Sequence, residues 1–196
     1  KHMSEYQKPS VDTIESTLPF SDLNAGGKIF ANHLYDQFKN DDLVVLGLAM
    51  GGVPVAYEVA QKFHAPFDLI FIRRLLAPDG PGSQTCAFTV AGSLVLDAGV
   101  QPLPPEPVEP LDYFLLDAIG KLKQRTQLCR GSRPPLELLG KDILLVDCGI
   151  RTALSMQAAI GALRQLQVNR IIAAAPVVSP ESIETMKEIA DEFIYL

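Results

Sequence analysis

Tryptophan is absent from the 196 residues, and aromatic side chains together make up only 7 % of them. Cysteine is almost as scarce, with only Cys86, Cys129 and Cys148. They are odd in number, widely spaced and form no CxxC pair, which argues against a disulfide framework and against a zinc site. A reducing cytoplasm is then the simplest compartment. Basic charge is also in short supply: 17 Lys+Arg stand against 23 Asp+Glu, a net charge of −6. A chain without a basic excess is not expected to bind along a nucleic-acid backbone, although a small anion in one local pocket stays compatible with it. No apolar run reaches the roughly 18 residues that a membrane span needs. Residues 1–13 lack the apolar stretch of a secretion signal, and Lys1-His2 reads as the remnant of an expression tag ahead of Met3. No internal repeat is visible at periods of about 20–50 residues.

What the chain does have is apolar material. Hydrophobic residues make up 47 % of it, enough at this length for one domain with its own core. Residues 1–19 read as a tail and 20–196 as that domain. An amphipathic helix is expected over 22–38, with Leu23, Phe30, Leu34 and Phe38 mostly on one face and Ser21 as a candidate N-cap. Residues 43–48 (LVVLGL) form a short continuous apolar run, the pattern of a strand buried on both faces. Further strands are expected at 69–72, 141–146, 171–175 and 193–196, and helices at about 53–63 and 154–167. Ser179 is expected to N-cap another helix, with Pro180 at its first position. Strands alternating with helices predict a doubly wound, mostly parallel sheet with helices on both faces. In such a fold ligands bind at the C-terminal ends of strands, so the turns after Leu48, Ile72 and Val146 are the ones to examine.

Residues 75–112 break the pattern. Pro78, Gly80, Pro81 and Gly82 open the segment and Pro102, Pro104, Pro105, Pro107 and Pro110 close it, with a strand or hairpin expected at 86–97. A long Pro/Gly-rich insertion of this kind reads as a lid or binding loop, or as an excursion without a role. A helix carrying Leu111, Phe114, Leu115, Ala118, Ile119 and Leu122 follows.

The turn after the 141–146 strand carries the chemistry: Asp147, Cys148, Gly149, Ile150, Arg151, Thr152, Ala153, Leu154 and Ser155. An acid at a strand end, a glycine turn and hydroxyls at a helix start can hold a phosphate through backbone N–H groups and the positive helix end. Ordinary N-capping explains the same residue types. Cys148 has no histidine in its motif to act as a base, so it reads as a tolerated small residue rather than a nucleophile. His33 and His64 show no metal-ligand spacing.

Four segments give the chain a more specific likeness: 20–26 (FSDLNAG), 44–55 (VVLGLAMGGVPV), 72–75 (IRRL), and 146–156 (VDCGIRTALSM) with 133–136 (RPPL) ahead of it. In order and spacing they resemble the type I phosphoribosyltransferases, in particular stand-alone bacterial phosphoribosyltransferase-domain proteins, over about residues 20–196. The resemblance implies transfer of ribose 5-phosphate from 5-phosphoribosyl 1-pyrophosphate (PRPP) to a nitrogen nucleophile, with Mg²⁺ assisting departure of pyrophosphate. It implies that Asp147 faces the ribose and acts in catalysis, and that residues 147–155 hold the 5-phosphate. Met50, Gly51, Gly52, Arg73 and Arg74 would lie at the pyrophosphate, and the 75–112 region would act as a hood. It also implies a homodimer.

Departures from the family pattern are specific. Cys148 stands where a second acid is usual, and a neutral thiol does not replace a carboxylate toward a ribose hydroxyl or Mg²⁺. Met50 stands where an arginine is usual, which removes a charge-assisted contact to an anion. Arg151, Ala153 and Leu154 replace smaller residues, and Ala153 would be restricted if its position needed a positive φ. In the hood, 84–88 (QTCAF) occupies a region where relatives carry an acid. Three functions follow as alternatives: an active phosphoribosyltransferase; a catalytically impaired regulatory module that binds a nucleoside monophosphate or sugar phosphate; or an interaction scaffold engaging through the Pro-rich 102–110 segment.

Overall fold

The computed structural model describes residues 20–37, 42–76, 85–89, 93–96, 99–102 and 110–196. The expected tail and tag remnant at 1–19, Phe38 of the expected first helix, the Pro/Gly cluster at 78–82, Gln84 and the prolines at 104–107 lie outside these residues.

The chain runs α1 (Leu23–Gln37), β1 (Leu43–Ala49), α2 (Val53–Phe63), β2 (Phe67–Leu76), β3 (Thr85–Thr89), β4 (Ser93–Leu96), β5 (Gly99–Pro102), α3 (Pro110–Arg130), β6 (Asp142–Val146), α4 (Leu154–Gln165), β7 (Arg170–Ala175), α5 (Pro180–Ile189) and β8 (Glu192–Tyr195). One sheet holds all eight described strands in the order β5-β4-β3-β2-β1-β6-β7-β8. The five from β2 to β8 pair in parallel. The expected doubly wound α/β architecture is therefore the observed one. The insertion departs from expectation. Besides a hairpin it supplies a third antiparallel strand, β5, so that β3, β4 and β5 extend the sheet beyond β2.

The apolar runs explain why the central strands are buried on both faces. Side chains alternate across a strand. Val44, Leu46 and Leu48 of β1 join Ile143 and Leu145 of β6 in a core closed by Met156, Ile160 and Leu163 of α4 and Met186 of α5. Leu43 and Val45 of the same strand join Leu144 and Val146 in a second core, closed by Phe30 and Leu34 of α1 and Val55 and Val59 of α2. A continuous LVVLGL run is what a strand needs to satisfy two cores at once.

Two helix starts differ from expectation. The N-terminal turn of α1 is capped by Asp22, whose Oδ1 accepts from the Ala25 N–H at 2.8 Å, rather than by Ser21. Ser179 occupies the N-cap position of α5 but makes no side-chain cap there. Its hydroxyl donates instead to the Arg151 carbonyl at 2.9 Å. Beyond the end of α5, Asp191 and Glu192 form surface ion pairs. Asp191 accepts from Arg164 and from the Ile171 N–H, and Glu192 pairs with Arg170.

Candidate functional site

The strand order places a switch point between β1 and β6. From β1 the chain first moves outward to β2 and later returns on the other side as β6. At such a point the loops leaving the C-terminal strand ends separate and open a crevice. Two loops meet there: the Met50–Gly51–Gly52 turn after β1 and the 147–153 loop after β6. A methyl group added to Gly51 would lie 3.0 Å from Cys148 Sγ. One added to Gly52 would lie 2.8 Å from the carbonyl oxygens of both Leu48 and Val146 and 3.0 Å from the Asp147 Cα. Those last neighbours are backbone of two central strands and cannot withdraw, so glycine at position 52 is what lets the two loops touch. The peptide bond between Ala49 and Met50 is cis.

The second loop is fixed from below. The Asp147 N–H donates to Ala174 O, the Ile150 N–H to Val177 O and the Ser179 N–H to Ile150 O. The hydroxyls of Ser179 and Ser182 both donate to the Arg151 carbonyl. Ile150 is buried, and Arg151 and Thr152 are exposed. Ala153 takes the N-cap position of α4 with φ −67° and ψ −13°. Its backbone is right-handed, so the expected restriction of a methyl group there does not arise. Leu154 packs with Ile72 around the buried Ala158. No side chain caps the start of α4, which leaves its first N–H groups to other partners.

Arg74 reaches this loop from β2. Beyond the end of β1, β2 continues by pairing with β3, with Arg74 opposite Ala87. The extension carries the arginine past its shorter neighbour to the crevice. Its Nε donates to Ser155 Oγ at 2.7 Å, and Ser155 is only 9 % exposed. Alternation puts the adjacent Arg73 on the opposite face of the strand, so of the basic pair expected at the pyrophosphate turn Arg74 instead reaches Ser155 of the 147–155 loop, and Arg73 does not.

Asp147 and Cys148 are coupled. Asp147 Oδ1 accepts from the Cys148 N–H at 2.7 Å. Burial pushes the Asp147 carboxyl above its ordinary range, an effect opposed by that N–H, by the Cys148 thiol and by the charge of Arg74. Burial, followed by the charge of Asp147, pushes the Cys148 thiol up to about 11. At neutral pH it is a thiol and neither a nucleophile nor a strong ligand. Among the described residues no three His, Cys, Asp or Glu side chains gather as a metal site. One carboxylate beside a neutral thiol does not fit a protein-held Mg²⁺, which demands oxygen ligands. His33 lies on α1 against Phe30 and Gln37, and His64 ends α2 with φ 50°; neither is among the crevice residues.

Two cavities flank the loop. One of about 380 Å³ is lined by Phe20, Asp22, Leu23, Gly26, Val55, Cys148, Pro176 and Val177. The other, of about 500 Å³, is lined by Arg151, Thr152 and Ala153 together with Ser179, Glu181, Ser182 and Thr185 of the α5 end. The backbone N–H of Glu181 holds the Glu181 carboxyl below its usual range.

The sequence matches the phosphoribosyl transferase domain family over residues 20–193. The chain belongs to that family. Two Mycobacterium tuberculosis proteins, named provisionally as phosphoribosyl transferases, are 32 % identical to this phosphoribosyltransferase domain over 184 residues. The match takes in 90 % of this chain but 40 % of theirs, so the domain spans well under half the length of those relatives. A Thermus thermophilus protein of known crystal structure shares 30 % identity with a TM-score of 0.67, covering 90 % of this chain and 83 % of that one. A Neisseria gonorrhoeae protein solved with bound ppGpp shares the fold at 12 % identity and a TM-score of 0.51, over 90 % of this chain and 80 % of its own.

Of the residues predicted for the site, the fold gathers Gly51, Gly52, Asp147, Cys148, Arg74 and Ser155. Met50 is 57 % exposed at the rim. Sequence reasoning did not reach Arg125. Its Nη2 donates to Met50 Sδ at 2.7 Å across a separation of 75 residues, and nothing around either residue announces the other.

Proposed function

We propose that this domain binds PRPP and transfers its ribose 5-phosphate to a nitrogen acceptor. The observation that carries the reading is the Arg74–Ser155 contact of 2.7 Å, which sets a guanidinium against the uncapped start of α4. A cation and free helix N–H groups together favour a phosphate. On the other side of the loop Arg151 shares its cavity with ionised Glu181, which offsets its charge, so the 5-phosphate is assigned to the side facing Arg74. Asp147 then meets the ribose, and Met50–Gly51–Gly52 meets the pyrophosphate. In transfer, the bond from ribose C1 to the pyrophosphate oxygen breaks and its electron pair leaves with pyrophosphate. The acceptor's lone pair makes the new N–C1 bond, and a proton on that nitrogen passes to solvent. Asp147 offers the one carboxylate of the loop to the positive charge that develops on the sugar. These residues hold no cation of their own, and no step here runs through one.

Cys148 favours a second reading, a module that binds a nucleoside monophosphate without turnover. A thiol with its pKa at about 11 adds no negative charge beside Asp147. Losing one charge-assisted contact costs about 1.5–3 kcal/mol, or roughly 10–100-fold in affinity. Calorimetric titration with PRPP and Mg²⁺, and separately with nucleoside monophosphates, distinguishes the two when combined with a pyrophosphate-release assay over a panel of nucleobases. PRPP binding with release supports transfer, and monophosphate binding without release supports the module. Failure to bind any of these ligands overturns both.

A further inference from the structure

We infer that Arg125 is the residue that grips the pyrophosphate end of the ligand at the Met50–Gly51–Gly52 turn. The inference rests on the reading above and assigns a residue that the loop motifs do not contain. Arg125 belongs to α3, 75 residues from the turn it contacts. Two features fix it there. Ala118, Ile119 and Leu122 of α3 are buried, and a residue three positions after Leu122 lies on the edge of that buried stripe. One further turn along, Arg130 pairs with Asp68 of β2 at 2.7 Å, both side chains being about one-fifth exposed. Asp68 also accepts from the Leu136 N–H. The helix end is thus pinned to the strand that carries Arg74. Arg125 and Met50 are both exposed, so the guanidinium stands open to an arriving ligand. Guanidinium has five N–H donors and prefers carboxylate or phosphate oxygens, whereas the thioether of Met50 is a weak acceptor. Among the described residues Arg125 forms no ion pair. The turn beneath it opens α2, whose N-cap Gly52 supplies no side-chain cap, so a second source of positive potential lies beside the first. An anion as charged as pyrophosphate satisfies both.

The test is Arg125→Ala and Arg125→Lys, titrated calorimetrically with three probes: PRPP with Mg²⁺, inorganic pyrophosphate and ribose 5-phosphate. Arg125→Ala is expected to weaken PRPP and pyrophosphate about tenfold or more and to leave ribose 5-phosphate within about twofold, with Arg125→Lys recovering part of the loss. Unchanged PRPP and pyrophosphate binding in Arg125→Ala overturns the inference alone. An equal loss for ribose 5-phosphate also overturns it, because the residue would then be acting through the fold. If the parent binds ribose 5-phosphate but not pyrophosphate, Arg125 has no such role while the phosphate loop keeps its own. If the parent binds none of the three, the function proposed above falls and takes this inference with it.

Discussion

The two loops that meet in the crevice are built in opposite ways. The 147–153 loop is tied down on its underside by backbone bonds to β7 and to the segment ahead of α5, and by two serine hydroxyls on one carbonyl. The 50–52 turn rests on backbone of the central strands at Gly52 but keeps its backbone hydrogen bonds within its own β1–α2 connection. Gly52 donates to Leu48 O and accepts from the Ala56 N–H, and Met50 stands largely in solvent. The 147–153 loop carries a cation of its own, Arg151, and what the two share is a further one. Each receives an arginine from far away in sequence, Arg74 across 81 residues and Arg125 across 75. A rigid loop and an open turn can serve one ligand when tertiary packing adds cations to what the local motif supplies.

The contrast can be broken at either end. Arg74→Ala has the largest expected effect. It removes a charge-assisted contact at the phosphate loop, worth about 1.5–3 kcal/mol, and ribose 5-phosphate affinity measured by calorimetry should fall roughly 10–100-fold. Pyrophosphate binding should hardly change, the mirror image of the Arg125 result. A loss for both probes would mean the two regions are not separable. Gly52→Ala comes next. The added methyl meets backbone at 2.8 Å, and overpacking of this kind costs about 1–3 kcal/mol, to be read from urea denaturation. A variant as stable as the parent would show that the loops are not pressed together. Asp147→Asn is the smallest and has the opposite sign. With its carboxyl pKa raised in the fold, the native state holds the proton more tightly than the unfolded chain. Ionising the group therefore costs stability. The cost is absent below the unfolded pKa and complete above the folded one. The variant should be the more stable at neutral pH, and its advantage should fade as pH is lowered through the ordinary carboxylate range. A gain that persists in acid would point to a cause other than the buried charge.

The pattern of the residues explains which parts of this were legible. Continuous apolar runs announced β1, β6 and β7 because a strand covered on both faces has no place for polar side chains. The glycine turn and the hydroxyl-bearing 147–155 loop were legible as strand–turn–helix junctions because those signals are local. Arg74 was visible as a basic residue, but not its destination, which depends on β2 outrunning β1. Arg125 was invisible, since a surface arginine on a helix carries no mark of what it will touch. β5 was obscured by the prolines around it. Ser179 was placed correctly at a helix start and given the wrong partner, because capping α5 and holding Arg151 demand the same hydroxyl.

That hydroxyl also sets the direction of a neighbouring amide. The peptide unit joining Arg151 to Thr152 is trans, the cis bond at Ala49–Met50 being the one recorded among the described residues. In a planar trans unit the oxygen and the amide hydrogen face opposite ways. With the oxygen pinned toward α5 by Ser179 and Ser182, the Thr152 hydrogen is aimed outward before any guest arrives. On the function proposed above, an arriving oxyanion would find that donor already turned toward it, with none of the attraction between them lost to rotating the backbone.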